Sequence, residues 1–144
     1  MKVTNKMRLV FPAKSINEGF ARAAVSAFAA SLDPTVEELV DLRTAVSEAV
    51  TNAIVHGYRD RSGEVYITCK AYENRRVTVQ IKDKGCGIDD VTKAMEPLYT
   101  SLPGGERSGL GFTVMESFCD KVRVSSKKDK GTAVFLEKHF KEGK

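Results

Sequence analysis

The sequence has no apolar run close to the roughly 20 residues that a bilayer-spanning helix needs. Its start, Met1-Lys2-Val3-Thr4-Asn5-Lys6, lacks the apolar stretch of a secretory leader. Cysteine is scarce: Cys69, Cys86 and Cys119 lie far apart, are odd in number and show no metal-ligand spacing. That excludes a disulfide framework and a cysteine-held zinc, and a reducing cytoplasm is the expected compartment. No G-x-x-x-x-G-K-[ST] stretch occurs, so there is no P-loop. An EF-hand counted from Asp83 fails, because Gly85 and Gly87 would fall at ligand positions and Ala94 where a Glu is needed. Along the chain, aromatic and basic residues do not interleave in the manner that stacks bases. Repeats, linkers and low-complexity segments are also missing.

What is present is one domain, residues 1–144. The chain has 144 residues and a 42% apolar fraction, enough for a sizeable core. The net charge is +4, with much of the surplus late, in Lys121, Arg123, Lys127, Lys128 and Lys130. This balance permits an acidic or nucleic-acid partner, and it equally describes a solvated face with a basic tail. No direct nucleic-acid contact and no membrane contact are expected.

Residues 7–14 read as a short strand, placed at a sheet edge by Pro12, which has no N–H. Ser15-Ile16-Asn17-Glu18 has the form of a capping box. It opens a helix to about Ser31, with Phe20, Ala24, Ala27 and Phe28 on its apolar side. Asp33-Pro34 supplies the N-cap and first residue of a second helix, which runs to Gly57. The period then falls from about 3.6 to 2. Val65, Ile67, Cys69 and Ala71 alternate with polar residues, as do Val77, Val79, Ile81 and Asp83, so two strands form a hairpin around Glu73-Asn74. Asp89 to Met95 is a short helix stopped by Pro97. Residues 98–108 have no period and read as a lid or binding loop. Gly109-Leu110-Gly111-Phe112 opens a helix to about Asp120, and Lys121–Ser126 with Gly131–Leu136 forms a second hairpin. Cys69 and Cys119 are expected to pack in the core.

The chemistry gathers on the second helix. Leu42, Ala45, Val46, Ala49, Val50, Ala53 and Ile54 form one apolar stripe. Glu48, Thr51, Asn52 and His56 share a neighbouring face. Glu48 can accept a proton, and the Asn52 carbonyl can bind a hard cation such as Mg²⁺. Alone, this is also the pattern of a polar rim on a packing helix. Asp83 continues the buried face of its strand, where a carboxylate is costly without hydrogen-bond donors. The glycine-spaced loop Lys84-Gly85-Cys86-Gly87 follows, which also fits a plain turn. Gly109-x-Gly111 at a helix start, with Arg107 beside it, suits a phosphate, and equally a flexible loop before an ordinary helix. His56 reads as a residue closing the helix end.

Taken in order, Glu48–Asn52, Asp83–Gly87, Gly109–Gly111 and Gly131–Thr132 resemble the four signatures of the ATP-binding domains shared by gyrase, the Hsp90 chaperone, histidine kinases and MutL. Ser47-Glu48-Ala49-Val50-Thr51-Asn52-Ala53-Ile54 with His56-Gly57-Tyr58, Glu96-Pro97-Leu98 and Glu106-Arg107-Ser108-Gly109-Leu110-Gly111-Phe112 resemble the branch of anti-sigma factors with serine-kinase activity. Asn17-Glu18 with Phe20-Ala21-Arg22, and Leu32-Asp33-Pro34-Thr35, add to that likeness, which covers nearly the whole chain.

The resemblance implies an α+β fold, a two-layer sandwich of a mixed, mostly antiparallel sheet with helices on one face. It implies ATP or ADP and Mg²⁺ between the layers, with Asn52 as the metal ligand, Glu48 as the general base and Asp83 accepting from the adenine amino group. Gly87 would close against the base, and Thr132 would sit near the adenine end. Arg107, Gly109 and Gly111 would contact phosphates. His56, Gly85, Thr100, Ser101, Ser108, Leu110 and Phe112 complete the implied nucleotide set. The lid departs from the pattern: Ser101-Leu102-Pro103-Gly104-Gly105 stands where related lids often carry Lys-Pro-Glu. The implied activity is phosphorylation of a serine on an anti-anti-sigma factor, coupled to ATP-dependent binding of a sporulation sigma factor of the sigma F type. A homodimer is implied too, and Arg22 on the first helix is the candidate partner-binding residue. Alternatives are a nucleotide-gated sigma-binding module without catalysis and a stress-type anti-sigma kinase acting on a different sigma factor. A histidine-kinase catalytic half would call for a preceding dimerisation helix, and a gyrase-like ATPase for a transducer domain after Lys144.

Overall fold

The alternating segments become five strands in the structure, a computed structural model that describes residues 2–59, 61–88 and 111–141. They are β1 (Val3–Pro12), β2 (Glu64–Tyr72), β3 (Arg76–Asp83), β4 (Lys121–Lys127) and β5 (Gly131–His139). The sheet order is β1-β2-β3-β5-β4, and all four pairings are antiparallel. β1 takes the expected edge position, with Pro12 opposite Glu64. It starts at Val3, earlier than residue 7, because Val3 to Lys6 pair through the backbone despite their exposed side chains.

The period-2 pattern aims one row per strand at the core. Ile67 pairs with Ile81 and Cys69 with Val79. Val79 pairs with Leu136 and Ile81 with Val134. Among the described residues, three helices cover that face: α1 (Ile16–Ala30), α2 (Val36–Thr51) and α3 (Gly111–Phe118). The α2 stripe behaves as its spacing requires, since Leu42, Ala45, Val46, Ala49 and Val50 are all buried. Each fully buried Val, Leu or Ile contributes about 1.5–3 kcal/mol. The result is a rigid backing for the opposite, polar side of α2. Cys69 is buried and Cys119 packs at the core margin. Burial pushes both thiols up to about 12, with charges around Cys119 adding smaller opposing effects.

Three local expectations are corrected. Ser15 does not cap α1, because it is already helical (φ −54°, ψ −33°) and its side chain makes no cap bond. Glu18 is engaged elsewhere: it accepts from Ser47 Oγ at 2.6 Å and meets Arg22 at 3.6 Å. The cap of α2 is Thr35, not Asp33. Thr35 is extended (ψ 162°) and forms a complete capping box with Glu38, whereas Asp33 takes a left-handed turn at φ 56°. Finally, α1 buries Ala21, Val25 and Ala29, and leaves Phe20 55% exposed. The Glu18–Ser47 bond fixes the rotation of α1, and the small Ala21 and Ala29 allow it to close on its neighbours. The expected short helix over Asp89 to Met95 and the 98–108 loop lie outside the described residues.

Candidate functional site

The polar face of α2 meets the head of α3. Glu48 sits in the last turn of α2, and Asn52 follows as the first residue of a π-helical segment, Asn52–Gly57. A methyl group on Gly111, the first residue of α3, would stand 3.2 Å from Asn52 Nδ2 and 3.4 Å from Glu48 Oε1. Thus a general-base candidate, an oxygen donor and a glycine at a helix N-terminus share one small space. N–H groups at such a terminus attract anions. Phe112 turns its side chain into the core, so it can face a ligand only through its backbone.

The π-helical segment was not legible in the sequence. Ala53-Ile54-Val55 contains neither Gly nor Pro to announce it. The widened turn is closed by Tyr58 N–H donating to the Ala53 carbonyl at 3.2 Å. Such π segments are rare and frequent at functional sites. It brings buried Gly57 against Asp83, where a Cβ would stand 2.8 Å from the carboxyl carbon. His56 is half-buried on the same segment, and its carbonyl accepts from Cys86 Sγ at 3.3 Å.

Asp83 ends β3 at only 4% exposure. Burial pushes its carboxyl above the ordinary carboxylate range, and backbone N–H groups of Gly85 and Thr132 partly offset that. The Gly85 N–H reaches Asp83 Oδ1 at 2.9 Å. Thr132 lies directly opposite on β5, and its Oγ1 is 2.8 Å from Ser126 Oγ. Ser126 in turn accepts from Ile88 N–H at 2.8 Å. A polar row, Asp83-Thr132-Ser126, therefore replaces the apolar rows at this end of the sheet. Gly87 (φ 75°) and Gly131 (φ 113°) take conformations that only glycine adopts freely, and a Cβ on either would strike backbone. Tyr58 locks the frame: its buried hydroxyl donates to the Glu64 carbonyl at 2.6 Å and accepts from Lys84 N–H at 2.8 Å. Sequence reading missed Gly57, Tyr58 and Ser126 as parts of this end. Counting the β4–β5 register back from the turn could have found Ser126, while Gly57 and Tyr58 stand in the His56-Gly57-Tyr58 stretch that carried the resemblance without a role of their own.

Apart from His56 and Phe112, the expected nucleotide residues therefore fall into three groups. Glu48, Asn52 and Gly111 converge at one end, and Asp83, Gly85, Gly87 and Thr132 at the other. Thr100, Ser101, Arg107, Ser108, Gly109 and Leu110 lie outside the described residues. Among the described residues, no group of three or more His, Cys, Asp or Glu could hold a metal ion. The donor set instead fits Mg²⁺ held by one side-chain oxygen, that of Asn52, together with ligand phosphates. Arg22 is on a groove of about 310 Å³ between α1 and α2 that it lines with Val40, Arg43, Thr44, Ser47 and Glu48.

A buried carboxylate at a strand end, glycine-tight loops around it and a polar helix facing an anion-ready helix start define a nucleotide-binding α+β domain. Residues 11–138 match the histidine kinase-like ATPase domain model. The chain is 57% identical over 136 residues to the anti-sigma F factor of Clostridium acetobutylicum, covering 94% of each chain. It is 58% identical over 135 residues to that of Clostridium perfringens, covering 93% of this chain and 96% of the relative. This chain belongs to the histidine kinase-like ATPase family and, within it, to the anti-sigma F factor branch. In fold it is similar to the RsbU and RsbW domains of Rv1364c from Mycobacterium tuberculosis. That likeness has a TM-score of 0.70 at 19% identity and covers 95% of this chain and 33% of the other. The expected α+β sandwich is borne out, and membership of an ATPase domain family implies nucleotide binding.

Proposed function

We propose that this protein is an ATP-dependent serine kinase that also holds a sigma factor when loaded with ATP, releasing it by partner switching. The observation that carries the reading is the meeting of Glu48 and Asn52 with Gly111, on the same helical run whose end, Gly57, packs against buried Asp83. The adenine amino group would donate to Asp83, which gives that costly burial a purpose. Asn52 would hold Mg²⁺, which neutralises phosphate charge when bound. Glu48 would take the proton from the acceptor serine as its oxygen bonds to the γ-phosphorus and the bond to the ADP oxygen breaks. General-base help of this kind is worth about 10²–10⁴-fold.

Support for the partner side comes from the groove between α1 and α2. Arg22 and Glu48 both line it, so a chain docked on Arg22 would lie beside the proposed base. The names of the curated relatives motivate a sigma factor as one partner, and the family resemblance motivates an anti-anti-sigma factor as the serine substrate. A cytoplasmic homodimer belongs to the same proposal. Ile16 and Phe20, 82% and 55% exposed on α1, leave apolar surface of the kind that meets a protein partner.

The test is incubation with labelled ATP, Mg²⁺ and a candidate anti-anti-sigma protein. Label on a serine supports the kinase, and its loss in Glu48→Gln assigns the base. ATP and sigma-factor binding without transfer to any partner would leave a nucleotide-gated binding module instead.

A further inference from the structure

The face of the sheet turned away from the helices carries a charge pattern that the nucleotide site does not use. Register sets it row by row. Across one row stand Arg8, Thr68, Gln80, Phe135 and Arg123. In the next are Lys6, Lys70, Thr78, Glu137 and Lys121. On the other side Tyr66 pairs with Lys82, and Lys84 Nζ lies 4.9 Å from the centre of the Tyr66 ring. Lys127 extends the positive charge at the end of β4. Among the described residues of this face, the ion pair is Arg76 with Glu137, at 3.6 Å. The cations outnumber Glu64 and Glu137 by more than the chain's whole net charge of +4. The rest of the molecule is therefore net negative, and the charge is segregated by layer. Lys6 also stands directly opposite Lys70, a like-charge pairing that destabilises a sheet unless something anionic relieves it.

We infer that this face is a docking surface for an acidic, extended polypeptide segment of a partner protein. Alternate residues of an extended chain repeat at about 6.8 Å, the same step that separates Lys6 from Arg8 and Lys121 from Arg123 along their strands. Carboxylates on every second residue therefore match the rows. A single-stranded nucleic acid fits less well. Arg123 lies over the Phe135 ring at 5.9 Å and Lys84 over Tyr66, so cations already occupy the rings on which bases would stack. The aromatic–basic interleaving that the linear sequence lacks arises only across strands, and here it offers charge instead of open rings.

The test uses the whole protein and two probes, a peptide of alternating Glu and Ser and an oligothymidylate of equal charge. Titration is followed by backbone amide shifts and by calorimetry at moderate salt. The expected result is saturable peptide binding that moves amides of β1, β2 and β4 and weakens at least tenfold in Lys6→Glu with Lys70→Glu, while ATP affinity stays unchanged. Arg123→Glu, on an exposed edge strand, gives the same direction should the double variant fail to fold. Peptide binding that survives charge reversal, tighter binding of the oligothymidylate, or no binding of either probe would each overturn the inference.

Discussion

The two ends of the proposed nucleotide site, the Asp83 end for the base and the Glu48–Asn52 end for the phosphates, are built in opposite ways. At the base end the backbone does the work. Gly85 and Thr132 donate to Asp83, Gly131 and Gly87 turn where side chains could not, and Ser126 fastens Ile88. At the phosphate end the groups are side chains, Glu48 and Asn52, set on a half-buried face beside Gly111 at the head of α3. A backbone-built end is preformed and reads one shape. A side-chain end can change its partners as phosphates arrive and leave. Recognition of the base and transfer of the phosphoryl group should therefore separate under mutation.

The sharpest separation is expected from Glu48→Gln. It keeps size and removes the proton acceptor, so serine labelling should fall about 10²–10⁴-fold while ATP affinity holds within about twofold. A parallel collapse of ATP binding would show that Glu48 shapes the cleft and would break the comparison. Asp83→Asn should do the reverse. Loss of a hydrogen bond to a charged acceptor costs about 1.5–3 kcal/mol, seen as weaker ATP binding by calorimetry with the phosphate-end chemistry intact.

Asp83 also carries a pH signature. Its folded carboxyl is raised by burial above its unfolded value. The folded state therefore binds the proton more readily, and Asp83's contribution to stability is full below the ordinary carboxylate range and lost as pH rises through the raised value. Thermal melts of the nucleotide-free protein across the acid range should show this component in the parent and not in Asp83→Asn. An identical pH dependence in both would mean that Asp83 is not the titrating group.

Much of this contrast could be read from the sequence, for reasons that differ by end. The α2 stripe and the polar positions Glu48 and Asn52 follow from helical spacing alone, and the burial of Asp83 follows from strand alternation, because both periods survive tertiary packing. The π-helical turn at Asn52 does not follow, since it is closed by the Ala53 carbonyl and Tyr58 N–H without a local breaker. The capping positions went astray where a tertiary contact won: Glu18 left Ser15 for Ser47, and the extended Thr35 took the cap from Asp33. Phe20 misled by hydrophobicity, because α1 carries apolar residues on two faces and only the one with Ala21, Val25 and Ala29 is buried.

Two smaller changes probe how stiff the base end is. Gly85→Ala would drive a methyl into the Gly57 carbonyl. Overpacking of that kind costs about 1–3 kcal/mol in denaturant melts, and it should push the π-helical segment away from Asp83. Because His56 and Asn52 ride on that segment, this is the variant in which damage at the base end should reach the phosphate end. Ser126→Ala is the gentlest. It removes the acceptor for Ile88 N–H and the partner of Thr132 Oγ1, a loss of about 1 kcal/mol. If the base end is held by many backbone bonds, ATP affinity in Ser126→Ala should shift by less than the stability does. A fall in affinity as large as that of Asp83→Asn would mean that the row Asp83-Thr132-Ser126 acts as a single unit, with Ser126 setting the position of the Thr132 hydroxyl beside the carboxylate.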